Sequence, residues 1–233
     1  MVSSSSSTWN LPPPAGFQNF RDDLPVTWYQ QILPHLRQDG ATYFVTFRLA
    51  DSLPESKLRE LRLFRSEWMR KNPPPRSYKT LDELSQEIMR RVERWLDQNM
   101  GSCILREQKL ASAVAAAMHR DDGTHHELGC YVVMPNHVHA VVRPLTPLTQ
   151  PLETILKGWK GRSARDINLI RISSGTIWQR ESFDRIIRDP EHLYRVIEYI
   201  GRNPAKAGLA ANQYLLWIRP SWVAQGWDFE KPS

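Results

Sequence analysis

Cysteine is nearly absent: Cys103 and Cys130 are the only two in 233 residues. That excludes a small secreted scaffold held by several disulfides. No C-x-x-C pair occurs, which removes thiolate zinc sites and the thioredoxin-like redox motif. Long apolar runs are missing as well; none approaches the roughly 18 residues that a membrane-spanning helix needs. The opening MVSSSSSTWNLPPPAG has neither a basic stretch nor an apolar one and does not read as a signal peptide. These absences lead to the expectation of a cytoplasmic protein without a membrane partner. Internal repeats are also lacking, and the prolines gather at Pro12–Pro14 and Pro73–Pro75, where they punctuate the chain.

What is present suits a folded chain. Apolar residues make up 41% and charged residues 24%, far from a disordered composition. The length fits one domain with extensions. The net charge of +6 permits nucleic acid, a membrane surface or an acidic ligand as partner and selects none of them. Its position is more telling. Residues 143–171 hold Arg143, Lys157, Lys160, Arg162, Arg165 and Arg171 against Glu153 and Asp166, four of the six net charges.

Residues 1–40 read as an irregular arm, with a serine run, a triple proline and the aromatic pair Trp28 and Tyr29. Thr42–Leu49 is a strand by its aromatic and β-branched content. Leu58, Leu61, Phe64 and Trp68 mark a helix over 57–70, and Leu84, Ile88, Val92 and Trp95 mark another over 81–99. Residues 108–119 form a third. A hairpin follows, with arms 127–133 and 137–143 joined by Met134–Pro135–Asn136. Residues 152–167 read as a basic helix, and 175–185 as a loop plus an irregular strand. Asp189 as N-cap and Pro190 at the first helical position start a last helix. It is expected to end near Arg202, because Pro204 disfavours helix at Asn203. Residues 213–233 read as a surface wrap. The pattern predicts an α+β domain over 41–212, helices against an antiparallel sheet, with an inserted helical segment at about 55–120.

His137 and His139 are the sharpest local feature. Alternate residues of a strand share a face, so both imidazoles project together while Val138 points away. Two neutral imidazoles so placed suit a divalent cation. Two half-exposed surface histidines is the plain alternative, and a third ligand has to come from elsewhere. On the last helix, Leu193, Val196, Ile197 and Ile200 form the buried stripe. Tyr199 falls on its flank, His192 shares that flank, and Asn203 joins them if the helix continues one more turn. Tyr194 falls opposite. The pair Tyr199 and Asn203 either faces the histidines or is a boundary tyrosine with a capping asparagine.

These residues also carry a family likeness. Met134–Pro135–Asn136–His137–Val138–His139 resembles the His-hydrophobic-His signature of the IS200-like single-tyrosine transposases. The segment from Tyr199 to Leu209, YIGRNPAKAGL, resembles the tyrosine segment of their branch associated with repetitive extragenic palindromes. Ile177–Trp178–Gln179–Arg180 with Phe183 and Asp184 resembles a further landmark of that branch, and YFVTFRL resembles its opening strand. The resemblance spans about 42–50 and 125–210.

The resemblance implies a ferredoxin-like α+β domain with the two histidines on a central strand. It implies single-stranded DNA, often beside a hairpin, as substrate, and a divalent metal, Mg²⁺ or Mn²⁺, as cofactor. It implies His137, His139 and Asn203 as metal ligands and Tyr199 as the nucleophile that forms a 5′-phosphotyrosine link. Monomer and homodimer both stay open. Lys157, Lys160, Arg162, Arg165, Arg180, Arg185, Arg202 and Lys206 are candidate DNA contacts, a solvated basic face being the alternative. Trp159 and Trp178 are either base-stacking platforms or core. No residue stands out as a general base for the tyrosine. A DNA-binding protein without catalysis and an unrelated metal hydrolase are the rival functional classes.

Overall fold

The computed structural model describes residues 11–30, 34–145 and 150–229; the serine run and the last four residues lie outside them. In chain order the strands are β1 (Thr27–Gln30), β2 (Pro34–Arg37), β3 (Tyr43–Arg48), β4 (His126–Val133), β5 (His137–Pro144), β6 (Phe183–Ile186) and β7 (Leu215–Ile218). The α-helices are α1 (Glu55–Lys71), α2 (Tyr78–Leu96), α3 (Gln108–His119), α4 (Leu152–Ile170), α5 (Pro190–Lys206) and α6 (Pro220–Val223).

Five strands form one antiparallel sheet in the order β6–β3–β5–β4–β7. Leaving out β7, the chain runs strand, helix, hairpin, helix, strand, and its fourth strand returns beside the first. This is the ferredoxin-like α+β arrangement, with β5 at the centre of the sheet. Strand alternation gives the sheet two buried faces. Tyr43, Val45, Phe47, Val138, Ala140 and Val142 turn to one side and pack under α3 and α4. Phe44, Val132 and Val141 turn to the other and pack under Leu193, Val196, Ile197 and Ile200 of α5. His137 and His139 alternate with the first set, so they lie on the α5 side.

Several expectations need correction. The arm is not wholly irregular, because β1 and β2 pair antiparallel, Trp28 opposite Leu36. The segment after β3 is narrower as an insertion than 55–120. α3 belongs to the main helix layer through Leu110, Val114 and Met118, whereas α1 and α2 share a separate cluster of Leu61, Leu84, Ile88, Val92 and Trp95. The C-terminal stretch contributes β7, which extends the sheet beside β4. Of the two readings open for Trp159 and Trp178 the core one holds: both are buried, and Trp178 donates to Ser163 at 2.9 Å. No helix among the described residues is long and apolar enough to cross a membrane.

Helix α5 starts as its sequence dictates: the Asp189 carboxylate accepts from the His192 N–H at 2.7 Å, with Pro190 in the first turn. It does not stop at Arg202 but runs through Pro204 to Lys206. Proline there forfeits only the single bond to the Ile200 carbonyl. Burial of the Pro204 ring offsets that loss, and Ala207 still donates to the Asn203 carbonyl at 3.0 Å.

The β1–β2 hairpin is tied to the sheet edge by charge. Asp184 of β6, almost fully buried, accepts from His35 at 2.6 Å and from Arg37 at 2.5 Å; Arg37 also donates to Glu153 at 2.6 Å. Burial alone would push the Asp184 carboxyl up, yet Arg37 and His35 together hold it below its ordinary value. Its contribution to stability is therefore present above the usual carboxylate pKa near 4 and is lost as pH falls through the lowered value. Asp184→Asn is expected to cost on the order of 3 kcal/mol, because it removes the buried member of the two counter-charges on Arg37 together with the partner of His35. The urea midpoint at neutral pH checks this; an unchanged midpoint contradicts it.

Candidate active site

The centre of the α5 side is built from β5, β3, α5 and, unexpectedly, α2. Nε2 of His137 and Nε2 of His139 approach to 3.0 Å, and both rings are fully buried. The far nitrogen of each ring is held. His137 Nδ1 lies 2.7 Å from Asn136 Oδ1, and His139 Nδ1 lies 2.7 Å from Thr46 Oγ1 on β3. Thr46 pairs with His139 in the sheet register, which is why its hydroxyl reaches the ring.

The orientation of Asn136 is set in turn. Its Nδ2 donates to the backbone carbonyls of Leu96 and Met100, at 3.3 and 3.1 Å, so its oxygen is left facing His137. Only a ring Nδ1–H satisfies that oxygen, which leaves the His137 Nε2 lone pair directed into the site. The Thr46 hydroxyl can donate or accept, so His139 can take either tautomer. Burial lowers the His137 pKa to about 3 and carries His139 well below its ordinary value, with His137 and Lys206 adding to the shift for His139. Both rings are neutral at pH 7, the state in which imidazole binds a cation.

Tyr199 reaches the pair from α5. Its Oη lies 3.3 Å from His139 Nε2, and Phe44 walls both rings, stacked on His139 at 5.4 Å and edge-on to Tyr199 at 6.0 Å. One turn further, the Asn203 carboxamide is buried beside the Tyr199 phenol, without a well-formed hydrogen bond. It lies near enough to the phenol to lower the phenol pKa. An orphaned buried amide costs about 1–3 kcal/mol, and a ligand would repay that cost. The tyrosine, both histidines and the asparagine come from one chain. Among the described residues no three His, Cys, Asp or Glu side chains cluster as a metal site.

The phenol is harder to ionise here than in water. Burial raises its pKa well above 10, and the Glu93 carboxyl of α2 adds to the shift. Glu93 and Tyr199 both line a cavity of about 520 Å³ between α2 and α5. Glu93, Thr46 and the structural part played by Asn136 were not anticipated. Thr46 could have been found, since it sits two residues from Phe44 on the first strand and shares its face. Glu93 carried no such signal, because its position depends on how α2 folds back over the sheet.

The predicted cations divide. Lys160 is drawn inward, donating to the carbonyls of Gln179 and Arg180 at 3.2 and 2.7 Å and to Ser182 at 3.1 Å; it ties α4 to the β6 approach. Arg162 pairs with Asp121, and Arg202 with Glu198 at 2.8 Å. Both are remote from the histidines in their contacts. Arg185 lines the cavity beside Tyr199 and pairs with Asp82 at 3.5 Å, while Lys206 pairs with Asp97 at 2.6 Å. Lys157, Arg165 and Arg180 are exposed; Lys157 and Arg180 line a second hollow of about 550 Å³ with Trp178. His35 and Asp184 border both hollows.

No family model and no curated protein matches the chain. One solved structure, a REP-associated tyrosine transposase bound to a REP hairpin, aligns over 78% of this chain and 74% of its own. The TM-score is 0.42 and the identity 17%.

Proposed function

We propose that this protein is a metal-dependent enzyme that cleaves and rejoins single-stranded DNA through a 5′-phosphotyrosine link on Tyr199. The observation that carries the proposal is the approach of the Tyr199 phenol to His139, itself 3.0 Å from His137, with the buried Asn203 carboxamide beside the same phenol. The substrate class rests on the resemblance of three ordered motifs to the single-tyrosine transposases, and hairpin-bearing strands are the first substrates to try.

His137 Nε2, His139 Nε2 and the Asn203 oxygen would hold a divalent cation; the family resemblance implies Mg²⁺ or Mn²⁺, although two imidazole donors by themselves suit Zn, Cu, Fe or Ni better. Such a cation polarises a phosphodiester and offsets charge in the transition state. The protein's own groups do the rest. Asn136 and Thr46 keep the ring nitrogens aimed inward. Phe44 fixes the ring planes, and α5 holds the phenol beside the position where phosphorus would sit. A covalent intermediate conserves the phosphodiester bond energy, so the strand can be rejoined without another energy source.

Thr46→Val keeps the shape of the side chain and removes the hydroxyl partner of His139. It is expected to lower metal affinity or single-turnover rate about 10- to 100-fold, as loss of such supporting partners does. A metal titration of the cleavage rate checks it, and a curve superimposable on wild type contradicts it. The function itself is tested by incubating the protein with hairpin-containing single-stranded oligonucleotides, with Mn²⁺, with Mg²⁺ and with EDTA, and resolving the products on a denaturing gel. A metal-dependent protein–DNA adduct is expected. Tight binding without an adduct points to a binding protein, and multiple-turnover cleavage without an adduct to a hydrolase.

A further inference from the structure

The inserted helix α2 and the helix that carries Tyr199 enclose a cavity of about 520 Å³. Gln86, Met89 and Glu93 line it from α2, and His192, Val196 and Tyr199 line it from α5. Phe44 belongs to the wall as well, and the same ring stacks on His139 and meets Tyr199 edge-on. The cavity therefore adjoins the tyrosine and the histidines directly. Ion pairs fasten α2 on either side of it: Asp82 takes Arg185 at 3.5 Å and Arg188, and Asp97 takes Lys206 at 2.6 Å. Well-packed interiors leave few voids larger than a water molecule. A space of this size, held open between fastened helices, falls in the range of about 300–1,000 Å³ typical of ligand sites.

The lining suits one nucleotide. Met89 and Phe183 are half-buried, so a thioether and a phenyl ring offer apolar surface on which a planar base can lie. Gln86 and Glu93 add polar groups that can meet a base edge. Three guanidiniums stand around them: Arg90 and Arg195, both exposed, and Arg188, with 40% of its side chain exposed. Arg90 pairs with Glu87 at 2.8 Å and Arg195 with Glu191 at 2.5 Å, each on its own helix. Exposed pairs of this kind are weak and yield readily to a backbone phosphate. The other acids of the wall are engaged, Asp184 by Arg37 and His35 and Asp189 as the cap of α5.

We propose that this cavity is a subsite for one unstacked nucleobase, that of a nucleotide adjoining the scissile phosphate, and that the insertion thereby helps decide where the strand is cut. This rests on the phosphotyrosine reading above. A phosphate presented to Tyr199 brings its neighbouring nucleotide to the cavity, because Tyr199 and Phe44 belong to both. A base in a single strand gives up only its stacking to enter, and the walls replace that stacking. A paired base would first have to be pulled from its duplex, so the same cavity favours single strands.

The test uses the full chain and hairpin-bearing single-stranded oligonucleotides in which each nucleotide around the cut is made abasic in turn. At one position adjoining the cut, loss of the base is expected to slow single-turnover cleavage about 10- to 100-fold. Met89→Trp fills the cavity and is expected to slow cleavage of the intact strand by a similar factor. It should leave cleavage of that abasic strand unchanged, because the base it displaces is already missing. The metal requirement stays as in wild type. Gln86→Trp, one turn earlier on the same wall, is the second filler, so a folding defect peculiar to position 89 does not decide the outcome. A scan in which no base adjoining the cut matters by more than about threefold overturns the inference. So do fillers that cleave the intact strand at the wild-type rate, or that slow intact and abasic strands alike. If wild type forms no adduct with any strand, it is the phosphotyrosine reading that falls.

Discussion

Tyr199→Phe is expected to abolish covalent attachment to DNA and cleavage, a loss of roughly 10⁴-fold or more, while binding changes little. The substitution removes one oxygen and keeps the ring. Phe44 retains its edge contact, and the packing of Val196, Ile197 and Ile200 against the sheet is untouched. Burial of the phenol beside His139 also stops costing the protein a polar group, so Phe is expected to be at least as stable as Tyr at this position. Tyr194, on the same helix, lies on the other flank and serves as the control: Tyr194→Phe should leave the adduct intact. Gel shift, adduct formation and thermal midpoint, measured on one preparation, separate chemistry from folding. A Tyr199→Phe protein that still cleaves at more than a tenth of the wild-type rate would remove the tyrosine from the mechanism.

His139→Ala is the second large effect. The ring has four contacts in the site: Nε2 meets His137 and the Tyr199 phenol, Nδ1 meets Thr46, and the ring face stacks on Phe44. Its loss is expected to lower single-turnover cleavage by about 10²- to 10³-fold, the scale on which a preorganised transition-state partner contributes. The metal requirement should shift to higher concentration, a change that a purely structural defect does not produce. His139→Ala also opens a cavity in the sheet centre, so stability is expected to fall as well, by about 2 kcal/mol. His139→Leu keeps more of the volume, carries no metal donor and separates the two. If it retains wild-type metal dependence and rate, the histidine is a core residue and no ligand.

Much of this could be read from the chain itself, for identifiable reasons. The hairpin of β4 and β5 announces itself through local, alternating β-branched residues and a Pro-Asn turn, and the histidine spacing then fixes a shared face. The start of α5 is equally local, since Asp189 and Pro190 act within one turn. Its end was not, because whether Pro204 stops the helix depends on whether its ring gains burial, which is a tertiary matter. The β1–β2 hairpin escaped notice because its strands are four residues long, one opens on Pro34, and its anchor is a charge cluster with Asp184 far along the sequence. Lys160 looked like a phosphate contact because its neighbours are basic; the carbonyls that receive it lie 19 and 20 residues further on. Glu93 is the clearest case. A glutamate on a charged helix reads as a solvated residue until a second helix is laid against it.

The most direct test of the account is to find the covalent bond. Wild-type protein incubated with a hairpin-bearing single-stranded oligonucleotide and Mn²⁺ is digested with nuclease and then trypsin, and the peptides are weighed. Cleavage after Arg195 and Arg202 releases Val196–Arg202, whose single tyrosine is Tyr199. The account predicts a nucleotide mass on that peptide, attached through a 5′ phosphate, and absent when metal is withheld. DNA cleaved with that peptide unmodified, or a nucleotide found instead on the peptide carrying Tyr194, would contradict it.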